Sequence, residues 1–182
     1  MKLFYVILGA TTTGRNIEQH DVFFGIAKRV EDLHPEIKNF WKFTKLHIDC
    51  YQEVKFADGY ELKIVEKTES LTETENDVEL FFINLGGYKA GHFEEFHEQH
   101  LMVGTSLAEV IKKVKKTRFY KTMGFKDAPS HVDDQHGVDI DDIYNINDLL
   151  SKETKEKYTI ILEKSTSIAQ ENIMKVGYFK IK

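Results

Sequence analysis

Two acid–imidazole pairs carry the most readable chemistry in this chain, Glu18-Gln19-His20 and Glu95-Phe96-His97. In an extended strand, residues two apart share a face, so each pair sets a carboxylate beside an imidazole. Such a pair can fix the imidazole tautomer, raise its basicity or join it on a metal ion. It can equally staple a nearby turn to its sheet by satisfying buried backbone groups. His47-Ile48-Asp49 and His131-Val132-Asp133 repeat the spacing farther along. If their strands lie beside the first pairs, His20 approaches His47, and His97 approaches His131. Two His with one carboxylate suit iron or manganese, and nitrogen and oxygen donors also suit zinc. Pairs two apart are common in a chain with eight His, however, and the sequence assigns no metal ligand and names no cofactor. His34, His92, His100 and His136 have no counterpart in the repeat described below and read as surface or packing residues.

Other chemistries fail on spacing. Gly9-Ala10-Thr11-Thr12-Thr13-Gly14 has the glycines of a phosphate loop, but Arg15-Asn16 follow in place of Lys and Ser/Thr, and no helix N-terminus comes next. The related Gly86-Gly87-Tyr88-Lys89-Ala90-Gly91 keeps a basic residue, so both loops remain acceptors for an anionic group, with Gly86 and Gly87 as candidate contacts. Asp133, Asp139 and Asp141 do not meet calcium-loop spacing, and no nucleophile elbow occurs. Cys50 sits in an alternating strand and reads as an inert core thiol.

These residues are positioned by a duplication. Sliding the chain by 77 positions pairs Leu3, Phe4, Leu8, Gly9, Gly14, Glu18 and His20 with Leu80, Phe81, Leu85, Gly86, Gly91, Glu95 and His97. Seven identities in thirty positions exceed the roughly two that unrelated sequence gives. Farther on, Leu46-His47-Ile48-Asp49 is set against Ser130-His131-Val132-Asp133, and Tyr60 to Lys67 against Tyr158 to Lys164. Each unit reads strand, glycine turn, strand, helix, strand, strand. The expected units are residues 1–67 and 80–164, joined by an acidic linker, 68–79, and followed by an extension, 165–182, whose Val176 to Ile181 run adds an edge strand.

Local signals sharpen the elements. Ser106-Leu107-Ala108-Glu109 predicts a capping box with Leu107, Val110, Ile111 and Val114 on one face. Val30, Leu33, Ile37, Phe40 and Trp41 form a similar stripe, where Pro35 must sit in a first turn or divide the helix. Asp58-Gly59 predicts a two-residue hairpin turn. In the second unit an acidic insertion with Asp139, Asp141, Asp142 and Asp148 takes the place of that turn, helical around Asn147 to Lys152. The result is an α+β fold, an internal tandem duplication related by a pseudo-twofold axis.

Composition limits the function. With 182 residues and 41% apolar, the chain can bury a core, and its net charge of −5 argues against nucleic acid and anionic membrane as partners. Met1-Lys2 before Leu3 to Leu8 looks like a secretion signal, but Leu80 to Leu85 repeats it mid-chain, so both read as buried strands. No apolar run reaches the roughly 20 residues of a membrane span. One cysteine fits a reducing cytoplasm.

Leu80-Phe81-Phe82-Ile83-Asn84-Leu85-Gly86-Gly87-Tyr88 with Gly91, Glu95 and His97, the weaker copy from Leu3 to His20, and Leu46-His47-Ile48-Asp49 resemble an uncharacterised bacterial family, domain of unknown function 1543. The likeness covers most of residues 1–164 and implies a small cytosolic bacterial protein, with no catalytic residue to carry over. The first unit departs from the pattern, with Ala10 and Thr11 where the second has Gly87 and Tyr88. If one unit kept a site, the second is therefore the better candidate. Two functions are left open. One is a non-catalytic structural or interaction protein whose His/carboxylate pairs stabilise glycine turns. The other is a small-molecule or metal-binding protein, or an enzyme, using those pairs in a pocket. Either leaves room for a small-molecule ligand and a homo-oligomer.

Overall fold

The computed structural model describes residues 1–42, 45–68, 77–123, 138–166 and 171–182. Apolar runs too short for helices make its strands, and the chain is α+β. It divides into two compact units, Met1–Glu75 with Leu149–Lys182, and Asn76–Asp148. The boundaries differ from those expected by sequence, because the strand Tyr158–Lys164, counted there with the second repeat, lies in the first unit. Among the described residues no helix is long and apolar enough to cross a membrane.

In the first unit, β1 (Lys2–Ala10) is flanked by β2 (Gln19–Ala27) and β3 (Leu46–Glu53), both antiparallel to it. The alternation of Phe4, Val6 and Leu8 places these residues on one face, where they form a core with Val30, Leu33 and Ile37. Those last three come from a 3₁₀ turn, Val30–Leu33, and from α1 (His34–Phe40). Pro35 occupies the first turn of α1, where its missing N–H costs no helical bond. The stripe ends early, since Phe40 is half exposed at 51%.

Beyond β3, a two-residue strand, β4 (Phe56–Ala57), pairs with β5 (Tyr60–Glu66) through the Asp58-Gly59 turn. Both turn residues have positive φ, 48° and 83°, as a type I′ turn requires.

The second unit repeats the hairpin with β6 (Glu79–Tyr88) and β7 (Glu95–Gly104), in which Gly86 pairs with His97 as Gly9 pairs with His20. α2 (Leu107–Val114) is capped by Ser106, whose side chain accepts from the Glu109 N–H. The Glu109 carboxylate turns to the N–H and hydroxyl of Thr105, both at 2.8 Å, so the returning half of the capping box binds the residue before the cap. Val110 and Val114 are buried, whereas Leu107, expected on the same face, is 46% exposed. α3 (Arg118–Thr122) adds Phe119 and Tyr120 to this core.

The third strand of this unit is β8 (Val138–Asn145), antiparallel to β6. Asp139, Asp141 and Asp142 therefore lie in a strand and not in an acidic insertion. The pairing shifts between Asn84 and Leu85, as the β1–β3 pairing shifts between Ile7 and Leu8. Each shift leaves one extra residue on the third strand of its unit, Asp141 on β8 in one case and Asp49 on β3 in the other. By register Asp139 stands opposite Gly86 as His47 stands opposite Gly9, so the expected match of His47 and Asp49 with His131 and Asp133 is displaced. His131 and Asp133 lie outside the described residues.

After α4 (Ile146–Leu149) and α5 (Lys152–Lys157), the chain forms β9 (Tyr158–Lys164) and β10 (Met174–Lys180). β9 pairs with β5, Tyr60 opposite Lys164, so the two segments matched as repeats by sequence are hydrogen-bonded neighbours. β10 pairs with β3 and completes a four-stranded sheet in the order β10-β3-β1-β2.

Candidate functional site

Gly9 of β1 has His20 of β2 on one side and His47 of β3 on the other. Cross-strand partners share a face, so both imidazoles rise on the same side of the sheet, away from α1. A side chain on Gly9 would keep them apart. A Cβ there would lie 2.5 Å from His47 Nε2 and 2.7 Å from Asp49 Oδ2, so the missing side chain is the space that the cluster fills. The bulge at Asp49 turns its carboxylate into the same space.

Four side chains meet there as a closed ring. His47 Nε2 lies 2.9 Å from Asp49 Oδ1 and 3.4 Å from Glu18 Oε1. His20 Nε2 lies 3.2 Å from Asp49 Oδ2 and 3.8 Å from Glu18 Oε2. Each carboxylate thus offers one oxygen to each imidazole. Asp49 Oδ2 has no aligned hydrogen bond, so its approach to His20 is electrostatic only. The His47 side chain is 3% exposed, while Glu18, His20 and Asp49 reach water at 40, 54 and 30%. Tyr178 of β10 stacks over His47 with ring centroids 4.1 Å apart. All four strands of the sheet therefore contribute to one cluster. Because Nε2 of His47 faces the carboxylates, its neutral form carries the proton there and leaves Nδ1 a buried acceptor without a partner.

Among the described residues, no group of three or more His, Cys, Asp or Glu could hold a metal ion. The four members of the ring engage one another. Cys50 follows Asp49 directly. Burial, reinforced by the Asp49 carboxylate, pushes its thiol above the ordinary value, which leaves it a poor nucleophile.

His97 Nε2 lies 3.9 Å from Glu95 Oε2, and Gly86 stands between His97 and Asp139. Gly87 serves packing on the other face, where a Cβ would lie 3.0 Å from Met123 Cβ and 3.1 Å from Phe119 Cε1. The four-membered cluster described above lies in the first unit. His100, read from sequence as a surface or packing residue, meets Glu98 instead, with Nε2 and Oε1 2.7 Å apart on β7. They have the same two-residue spacing, but His100 has no counterpart in the repeat. Tyr178 had no signal at all, because the stacking depends on a strand 131 positions after His47.

No curated protein matches this sequence. Among solved structures, the crystal structure of protein Il1583 from Idiomarina loihiensis is similar in fold, with TM-score 0.65 and 22% identity over 100% of this chain and 98% of that one. Residues 15–64, which carry Glu18, His20, His47 and Asp49, match the family model described as Domain of Unknown Function (DUF1543), the family that the sequence resembles.

Proposed function

We propose that this is a non-catalytic structural or interaction protein, and that Glu18, His20, His47 and Asp49 form a polar clasp across the end of its sheet. The observation that carries this reading is that the ring's polar contacts close on one another while its central imidazole is 3% exposed and stacked under Tyr178. A catalytic imidazole has to meet its substrate, and His47 is covered. A clasp joins β2 to β3 over β1, strands that no backbone ladder connects directly.

The same reading takes the two hairpins as copies of one ancestral unit. A glycine opposite a histidine, and a bulge in the neighbouring strand where β1 pairs with β3 and β6 with β8, support it. A net charge of −5 supports partners other than nucleic acid, and a single, poorly nucleophilic cysteine suits the cytoplasm.

Thermal unfolding of the full chain tests the clasp. His47→Ala and Asp49→Asn each orphan a partly or wholly buried partner, a loss of about 1–3 kcal/mol, and in a domain of this size each kcal/mol moves Tm by roughly 2–4 °C. His20→Ala, at a half-exposed position, costs less. Unchanged melting in both His47→Ala and Asp49→Asn overturns the proposal.

A further inference from the structure

At the opposite end of the same sheet, the start of β1, the ends of β2 and β3 and the segment entering β10 enclose a cavity of about 460 Å³. That volume lies in the range of small-molecule sites. All of its lining residues belong to the first unit. Five are cationic, Lys2, Lys28, Arg29, Lys55 and Lys175, against the carboxylates of Glu31, Glu53 and Glu171. In a chain of net charge −5, an excess of two positive charges around one cavity is a local reversal of sign.

The cations differ in how far they are already engaged. Glu53 holds Lys2 at 2.8 Å and Lys55 at 3.7 Å, and Arg29 reaches Asp32 at 3.2 Å. Lys28 has no carboxylate partner among the described residues. Lys175 rests over the Tyr51 ring, 5.5 Å from its centroid. Tyr51, Phe4 and Phe56 give the cavity an aromatic wall, with the Phe4 and Tyr51 rings packed edge to face. Its far side is held in place by Asn172, whose side chain accepts from the Lys55 and Phe56 N–H groups at 2.8 and 3.1 Å and donates to the Phe56 carbonyl at 2.8 Å. This side chain copies a strand's hydrogen bonding and fixes Glu171 and Ile173 beside the opening.

We infer that this cavity binds a small aromatic phosphate monoester. A phosphate monoester carries about −1.5 to −2 charge at neutral pH, which matches the excess. A doubly charged phosphate answers an excess of two cations better than a singly charged carboxylate does, and lysines bind it as point charges. Tyr51 and Phe56, both partly exposed, supply the surface for a flat ring. The inference goes beyond the clasp and shares none of its four residues.

Isothermal titration of the full chain at low salt tests it, with phenyl phosphate, adenosine monophosphate, inorganic phosphate and benzoate as probes. The expected result is saturable one-to-one binding of both esters that weakens as salt rises, with inorganic phosphate and benzoate at least about tenfold weaker. Lys28→Glu and Lys175→Glu, at exposed positions, each reduce ester affinity about tenfold with melting curves like the parent's. No saturable binding of either ester overturns the inference, as does undiminished affinity in the folded double variant. Benzoate binding as tightly as phenyl phosphate removes the phosphate assignment. His47→Ala leaves ester binding in its folded fraction intact, so a failed clasp and a failed cavity are told apart.

Discussion

Gly9 and His47 face each other across β1 and β3 so closely that a methyl group on Gly9 would come within 2.5 Å of the His47 Nε2 atom. Gly9→Ala must therefore push the imidazole and the Asp49 carboxylate aside. Overpacking of this kind costs about 1–3 kcal/mol, read by urea unfolding. Gly14→Ala is the control. Nothing lies within 4 Å of its missing Cβ, but its φ is +79°, so it pays only backbone strain. NMR separates the two, because Gly9→Ala alone shifts the His47 ring resonances.

Asn172→Ala removes three hydrogen bonds to Lys55 and Phe56. The expected loss is about 1–3 kcal/mol for the polar groups left without partners. Hydrogen exchange localises it, with the Lys55 and Phe56 amides exchanging faster while those of β6 and β7 keep their protection.

Burial holds the His34 imidazole below its ordinary value against the opposing pull of Glu31, and His34 Nδ1 accepts a hydrogen bond from the Lys182 N–H at 3.3 Å. The folded state therefore favours the neutral ring. Above the ordinary histidine value both states are neutral and the contribution is complete. As pH falls through that value, the unfolded chain takes up a proton first and stability declines, levelling off below the folded value. Lys38 and Lys182 act in the same direction as burial, and Asp32 opposes it. The slope is small because the ring is partly exposed. Denaturation between pH 7 and pH 5 shows it, and His34→Gln flattens it.

Cys50 should react slowly. Its thiol is held above the ordinary value by burial and by Asp49, against a weaker opposing hydrogen bond with the Ile7 backbone. Alkylation by iodoacetamide in the native protein is expected to be slower than in the urea-unfolded chain, with its pH midpoint displaced upward. Asp49→Asn lowers that midpoint.

Short-range chemistry made part of this structure legible in sequence. Asp58-Gly59 names its own turn, because few residue pairs accept two positive φ angles. Pro35 and Ser106 announce helix starts, since each acts within one turn. The residue types of the clasp were readable too, as Glu18 with His20 and His47 with Asp49, but their convergence depends on a bulge and on an absent side chain, which leave no periodicity behind. β8 was hidden by its composition. Val138-Asp139-Ile140-Asp141-Asp142 has too many aspartates to look like a strand, whereas His131-Val132-Asp133 repeats the spacing of His47-Ile48-Asp49 and drew the match. The β5–β9 pairing joins residues about 100 positions apart, beyond the reach of any local pattern. Leu107 fell on the expected helical face, yet a stripe drawn on a helical wheel does not say where the neighbouring sheet stops.

The return of β9 and β10 to the first unit orders events at the ribosome. Asn76–Asp148 is one uninterrupted segment, so that unit is synthesised whole while the strands opened at Lys2 still lack their last two neighbours. Until Met174–Lys180 emerges, β3 is a bare edge and His47 has no Tyr178 above it. Strands made before the second unit are thus completed only after it, and a nascent chain stalled short of Met174 displays an open strand to any passing chaperone or second copy.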